Sequence, residues 1–281
     1  MKVINNNLTA GELIDLKDEK WLKNQRIAGK IVAGALMQLE NYCINKTFHS
    51  MATLNEITER YIIEHGGIPT FKNYPKKGGP NFPAGLCISV NKILTHGIGD
   101  DTVLNDGDVV SFDLGVTYDD AIADSAFTCI FGQPQNSKHE KLVLTTKECL
   151  SEAIKSIKVG KRLGCIGKAI FSHAAGKGFG VITQYGGHGI SKNKAHAPPF
   201  VSNKSTENEG IRLCEGMTLA IEPLLVIGSS TETKTGSDGW SVYCKDIAAH
   251  EEHTIFIHSD HIEIITWREN ETVIKEPRIY F

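Results

Sequence analysis

Apolar positions recur near a 3.6-residue period between Glu19 and Glu40, where Trp21, Leu22, Ile27, Ile31, Val32, Leu36 and Leu39 predict one long helix. A second helix is predicted from Leu54 to His65, with Thr53 and Glu56 as a capping box and Gly66-Gly67 as the stop. A loop rich in Pro, Lys and Gly follows over Pro75–Pro83, then a strand over Leu86–Val90. The second half repeats this order. Ser137-x-x-Glu140 opens a helix to about Ile157, and a shorter helix runs from about Cys165 to Ala175, ended by Gly176. Strand-like segments follow around Val181, over Met217–Val226 and over His253–Ile257. Helix, helix, strands thus occurs twice, over about 15–132 and 137–268. This predicts one domain of the α+β class, a pseudo-twofold unit with a central, mostly antiparallel sheet covered by helices.

Composition adds limits. The 281 residues are enough to bury a substantial core, and the formal net charge of −3 argues against general attraction to nucleic acid or an anionic membrane. No apolar run is long enough to span a membrane, and the N-terminal Met1-Lys2-Val3-Ile4-Asn5 lacks the apolar stretch of a signal peptide. Seven scattered cysteines with no C-x-x-C pair read as reduced thiols, so a cytoplasmic location is expected.

The chemistry starts with two aspartates. Val109–Val116 reads as a strand and Ala121–Ile130 as its return partner. If the turn is Tyr118-Asp119, Asp113 lies directly opposite Asp124; if it is Asp119-Asp120, the two are diagonal neighbours. Either way both project from one face. Facing like charges destabilise a sheet unless something compensates them, and a divalent cation would. His188 stands among glycines in Gly186-Gly187-His188-Gly189-Ile190, and Glu222 ends the apolar strand Met217–Ile221. In His250-Glu251-Glu252-His253-Thr254, alternation puts His250, Glu252 and Thr254 on one face and Glu251 and His253 on the other. The ordinary alternative there is a solvated, charged strand end. Four carboxylates and one imidazole make an oxygen-rich set suited to pairs of Mn, Fe, Co or Zn ions. Such a pair activates water and stabilises a developing oxyanion, which suits amide or ester hydrolysis or phosphoryl transfer.

These residues, in this order and local context, resemble type I methionine aminopeptidases. The resemblance extends to Arg26-x-Ala28-Gly29, Cys87-Ile88-Ser89-Val90-Asn91, His96-Gly97-Ile98, Asp100-Asp101 and Asp106-Gly107-Asp108, and spans about residues 15–268. It implies the pita-bread fold and removal of the initiator methionine from nascent polypeptides. It also implies two divalent ions bridged by Asp124 and Glu252, with Asp113 on one and His188 and Glu222 on the other. Glu222 would handle the proton of the attacking water, His196 would contact the scissile carbonyl, and His96 the backbone nitrogen of the second residue. The first-residue pocket would be Tyr74, Phe82, Cys87 and Trp240, with Phe71 beside them. Aromatic walls with a soft thiol suit an unbranched thioether. The family habit implies a monomer meeting the nascent chain, with transient ribosome contact.

Four features depart from the family pattern. About five residues are inserted near Pro75–Asn81. The His188–His196 segment is one residue longer and has Ala195 in place of an aromatic. His250 replaces the usual Gln, adding a titratable group on the site-facing side. The Trp240–Glu252 segment is about two residues shorter. An Xaa-Pro aminopeptidase would be the same-fold alternative, though such chains carry an added N-terminal domain. A non-catalytic peptide- or ribosome-binding relative would have lost ligands. A phosphoesterase is disfavoured because no arginine or phosphate loop lies near the motifs; Gly176–Gly180 reads as a helix stop.

Overall fold

The computed structural model describes residues 2–4, 13–46 and 49–281. Helix α1 spans Glu19–Ile44, capped by the Asp18 carboxylate, which accepts from the Trp21 amide at 2.9 Å. It runs four residues past the expected end because Cys43 continues the buried stripe.

Helix α2 spans Met51–Glu64, and its cap is Ser50 instead of Thr53. The amides of Met51 and Ala52 donate to the carbonyls of Thr102 and Asp100, so the neighbouring loop satisfies the first turn and the helix starts early. Its end follows expectation: Gly66, at φ +81°, donates to Ile63 and Gly67 to Ile62. Helix α3 spans Ser137–Ser156, capped by Asn136 instead of Ser137. Helix α4 spans Gly164–Lys177 and ends at Gly178, two residues beyond the expected stop. Gly178 takes the left-handed conformation (φ +82°) that ends the helix, whereas Gly176 remains helical.

The main sheet of the described residues has ten strands, and every pairing in it is antiparallel. Its path runs Lys194–Val201, Gly187–Ser191, Thr218–Ile221, Glu252–Ile257, Ala121–Ile130, Val109–Tyr118 and Ile68–Pro69. Tyr118 pairs with Ala121, so the turn is Asp119-Asp120, with Asp119 at φ +54°. Asp113 therefore faces Ala126, Asp124 faces Gly115, and the two aspartates are diagonal.

Met217–Val226 is two strands, not one. Thr218–Ile221 belongs to the main sheet, and Leu224–Ile227 to a three-stranded sheet with Ala248–His250 and Phe179–Val181. Pro223 has no amide proton to continue a ladder. The neighbouring chain changes sheets in step, from Ala248–His250 to Glu252–Ile257. Glu222 and Glu252 both stand at this seam.

Alternation then divides the faces. Val110, Phe112, Leu114 and Val116, with Ala123 and Phe127 on the partner strand, pack into a core shared with α1 and α2. Asp113 and Asp124 are thereby turned to the opposite face. A second core joins α3 and α4 to Leu219, Ile221, Ile255 and Ile257. Helix α1 lies so close to the chain at Ile265 that a Cβ on Gly29 would stand 2.2 Å from its carbonyl oxygen.

Candidate active site

The five predicted ligands meet on the face opposite the helical cores. Asp113, Asp124 and Glu252 bring one oxygen each within 4.8 Å of one another, and His188, Glu222 and Glu252 do the same with their donor atoms. A third such group joins Asp124, His188 and His196. Glu252 and Asp124 are thus each shared between groups. His188 reaches in because its strand lies close against both neighbours. A Cβ on Gly187 would be 2.2 Å from the Ala220 carbonyl, and one on Gly189 would be 2.0 Å from that of Pro198.

Electrostatically this cluster is unstable without a cation. Burial, then the charge of Glu222, pushes the Asp124 carboxyl up to about 8. Burial and the neighbouring carboxylates push Asp113 and Glu252 well above the usual range too. One oxygen each of Asp113, Asp124 and Glu252 is buried and accepts no hydrogen bond from the protein. Orphaned acceptors in a converging set of carboxylates and imidazole are what a divalent metal satisfies, and these residues fit one.

Glu222 behaves differently from the other acids. Burial works to raise it, but His250, His188 and His196 outweigh burial and hold it below the usual carboxylate range. His250 is buried behind it, with Nε2 3.3 Å from the nearer Glu222 oxygen and 3.9 Å from Glu252. Neither ring nitrogen makes a hydrogen bond of acceptable geometry, so the attraction is electrostatic.

The ligands and both accessory histidines line a cavity of about 370 Å³. Phe71, Tyr74, Phe82, Cys87 and Trp240 wall it, so all the expected pocket residues come together. Burial, with Asp113, Asp124 and Glu252 nearby, pushes the Cys87 thiol well up, so it stays protonated: a soft wall, not a nucleophile. Burial lowers His96 to about 4. Desolvation and the adjacent His188 lower His196, whose Nδ1 lies 2.8 Å from the Tyr74 hydroxyl. Both imidazoles are therefore neutral at pH 7.

Thr95, Gln184, Tyr185, Gly186 and Phe200 also line the cavity and were not foreseen. Their sequence signal is nearness to His96, His188 or His196. The charged strand end at Glu251 and His253 is not solvated: both are at most 1% exposed. They face away from the metal ligands into a polar cluster with Arg268 and Glu271.

The family model for metallopeptidase family M24 matches residues 23–259. The methionine aminopeptidase of Mycoplasma capricolum subsp. capricolum is 40% identical over 90% of this chain and 98% of its own. The crystal structure of the methionine aminopeptidase from Rickettsia prowazekii superposes with a TM-score of 0.84 at 31% identity, covering 90% of this chain and all of that one. A prolidase from Pyrococcus horikoshii shares the fold at a TM-score of 0.68 and 23% identity, and this chain covers 64% of it. The architecture is the pita-bread fold of these enzymes. The chain belongs to metallopeptidase family M24 and, within it, to the methionine aminopeptidases.

Proposed function

We propose that this chain removes the initiator methionine from nascent polypeptides. The observation that carries the reading is the convergence of Asp113, Asp124, His188, Glu222 and Glu252 on one cavity whose far wall is aromatic and thiol. Asp113, Asp124, His188, Glu222 and Glu252 would hold two divalent ions, with Asp124 and Glu252 serving both, Asp113 one, and His188 and Glu222 the other. When bound, the ions (Mn, Fe, Co or Zn) supply charge stabilisation and water activation.

The protein's own groups do the rest. Glu222 is the carboxylate held below its usual range, chiefly by His250 and then His188, so it accepts the proton of the attacking water and returns it to the leaving amine. With the Tyr74 hydroxyl, 2.8 Å from His196 Nδ1, acting as donor, the ring proton would sit on Nε2, a neutral donor for the developing oxyanion. His96, also neutral, contacts the backbone nitrogen of the second residue. The pocket formed by Tyr74, Phe82, Cys87 and Trp240, with Phe71, holds the flexible thioether by dispersion. The protein acts as a cytoplasmic monomer on the nascent chain, meeting the ribosome transiently.

The test is cleavage of Met-Ala-Ser, Leu-Ala-Ser and Ala-Pro-Ser with Mn²⁺ or Co²⁺, beside Asp113→Ala. Release of Met alone, lost in the variant, is expected. Release of another first residue would keep the hydrolase and move its specificity. No release by metal-bound protein would indicate a peptide-binding relative. His250→Gln is expected to shift the pH–rate profile, since the imidazole 3.3 Å from Glu222 helps hold that carboxylate below its usual range. A superimposable profile would show that His250 does not hold Glu222 low.

A further inference from the structure

The loop inserted at Pro75–Asn81 closes on one side chain of the pocket. Its base is pinned where the Asn73 amide donates to the Phe82 carbonyl at 2.8 Å and the Phe82 amide to Tyr74 at 3.0 Å. Beyond that base, Pro75, Lys77, Gly78, Gly79, Pro80 and Asn81 are exposed, so the loop adds nothing to the core.

Two of its residues instead reach Trp240, across more than 150 positions of sequence. The Lys76 ammonium donates to the Gly239 carbonyl and lies over the indole ring, 4.8 Å from its centroid. The Pro80 carbonyl accepts from Trp240 Nε1 at 2.9 Å. Phe82, at the end of the loop, meets the same ring edge-on at 5.3 Å. The indole is thus fixed on a face, at its N–H and along an edge. It is half-buried and sits in the short 238–241 turn, where Asp238 accepts from the backbone amides of Trp240 and Ser241. Those bonds fix the backbone, whereas the ring is held by these loop contacts and by His96, edge-on at 6.3 Å. The hydrogen bond and the ring contact of the Lys76 side chain both go to this turn.

We propose that Lys76 is a positioning residue that clamps Trp240 and so sets the width of the pocket for the first residue of the peptide. The proposal rests on the reading of that pocket as the methionine site. An indole held by a cation, a carbonyl and a phenyl edge makes a fixed wall, suited to a slender unbranched chain. A freed indole swings, and the pocket then admits branched side chains as well.

The test uses full-length protein labelled with 5-fluorotryptophan. It contains three tryptophans and gives three fluorine resonances, with Trp240 assigned from Trp240→Phe. Lys76→Ala is expected to shift and broaden the Trp240 resonance while leaving those of Trp21 and Trp267 in place, which also reports an intact fold. In the same variant KM for Met-Ala-Ser should rise roughly three- to tenfold at nearly constant kcat, the loss of one cation–aromatic contact with its hydrogen bond. The preference for Met-Ala-Ser over Leu-Ala-Ser should fall by a similar factor. Lys76→Arg, which keeps a cation over the ring, should restore both, and Lys76→Met, which keeps only the stem, should not. An unchanged Trp240 resonance with KM within twofold would overturn the proposal. Should wild-type protein cleave no methionine peptide, the methionine reading fails by itself. A shifted resonance would then still establish the clamp, on a pocket built for another residue.

Discussion

Asp124→Asn is expected to lower peptide cleavage by more than about 100-fold, beyond what the loss of a partner behind the ligands costs. The same change should make the metal-stripped protein more stable at pH 8. Asp124 is 1% exposed, shared between two ligand groups, and pushed up to about 8 by burial and by Glu222. A neutral amide of the same shape removes a charge that the apo fold disfavours. The expected gain is at least about 5 °C in Tm, the shift that roughly 2 kcal/mol produces in a domain of this size. A variant that keeps its activity, or a stripped variant that melts below stripped wild type at pH 8, would contradict the assignment.

The sign of the pH dependence follows from the same groups. Most carboxylates of folded proteins are depressed, and their contribution is lost in acid. Here Asp113, Asp124 and Glu252 are raised, so across the window from about 4 to about 8 the native state holds protons that the unfolded chain has released. Stability of the chelated protein should therefore fall as pH rises through that window. Metal binding requires the ionised forms and strengthens with pH, so the metal-loaded and chelated melting curves should diverge toward pH 8. Parallel curves from pH 5.5 to 8.5 would show that the three carboxylates are not raised together. The arrangement gives up stability in the empty site for a preformed charge cage.

Three of the candidate ligands were legible in the sequence because a polar residue stands where the pattern demands an apolar one: Asp113 and Asp124 within buried strands, Glu222 at the end of an apolar strand; His188, in a glycine run, and Glu252, in a charged one, lack that sign. Alternation alone put the two aspartates on one face, whereas their register depended on the conformation of Asp119, which two adjacent aspartates left open. Helix starts were misplaced where the deciding partner lay outside the window. The carbonyls of Asp100 and Thr102 made Ser50, not Thr53, the cap of α2. Gly176 and Gly178 both read as stops, and only the backbone conformation distinguishes them. The sheet switch at Glu222 had a local sign in Pro223, which was not enough to split the strand. The clamp on Trp240 and the burial of Glu251 had no local sign, because both depend on chain segments distant in sequence.

That second case leads to the largest expected loss of stability: Arg268→Ala should cost about 3–5 kcal/mol at pH 8, the usual consequence of stranding buried carboxylates. The Arg268 side chain is 6% exposed. Its guanidinium lies 3.1 Å from Glu271, 4.0 Å from Glu251 and 5.8 Å from the centre of the Phe127 ring. It also donates to the Ser125 hydroxyl at 3.1 Å, which in turn donates to the Glu252 carbonyl at 2.5 Å. The arginine therefore holds the backbone of the candidate ligand Glu252 from behind. Burial already pushes Glu251 up to about 7 against the pull of Lys147 and Arg268. Without the guanidinium it rises further, the native state keeps a proton the unfolded chain has lost, and stability falls as pH rises. The penalty should be larger at pH 8 than at pH 5.5. Glu251→Gln in the Arg268→Ala background should recover part of it at pH 8, a coupling that independent sites do not show. Metal affinity of Arg268→Ala should drop about tenfold as the support behind Glu252 loosens. Urea unfolding of the two single variants and the double variant at both pH values, with metal titration by calorimetry, decides the matter. A loss at pH 8 below about 1 kcal/mol, or no recovery in the double variant, would mean that the cluster is held by Lys147 and His253 instead.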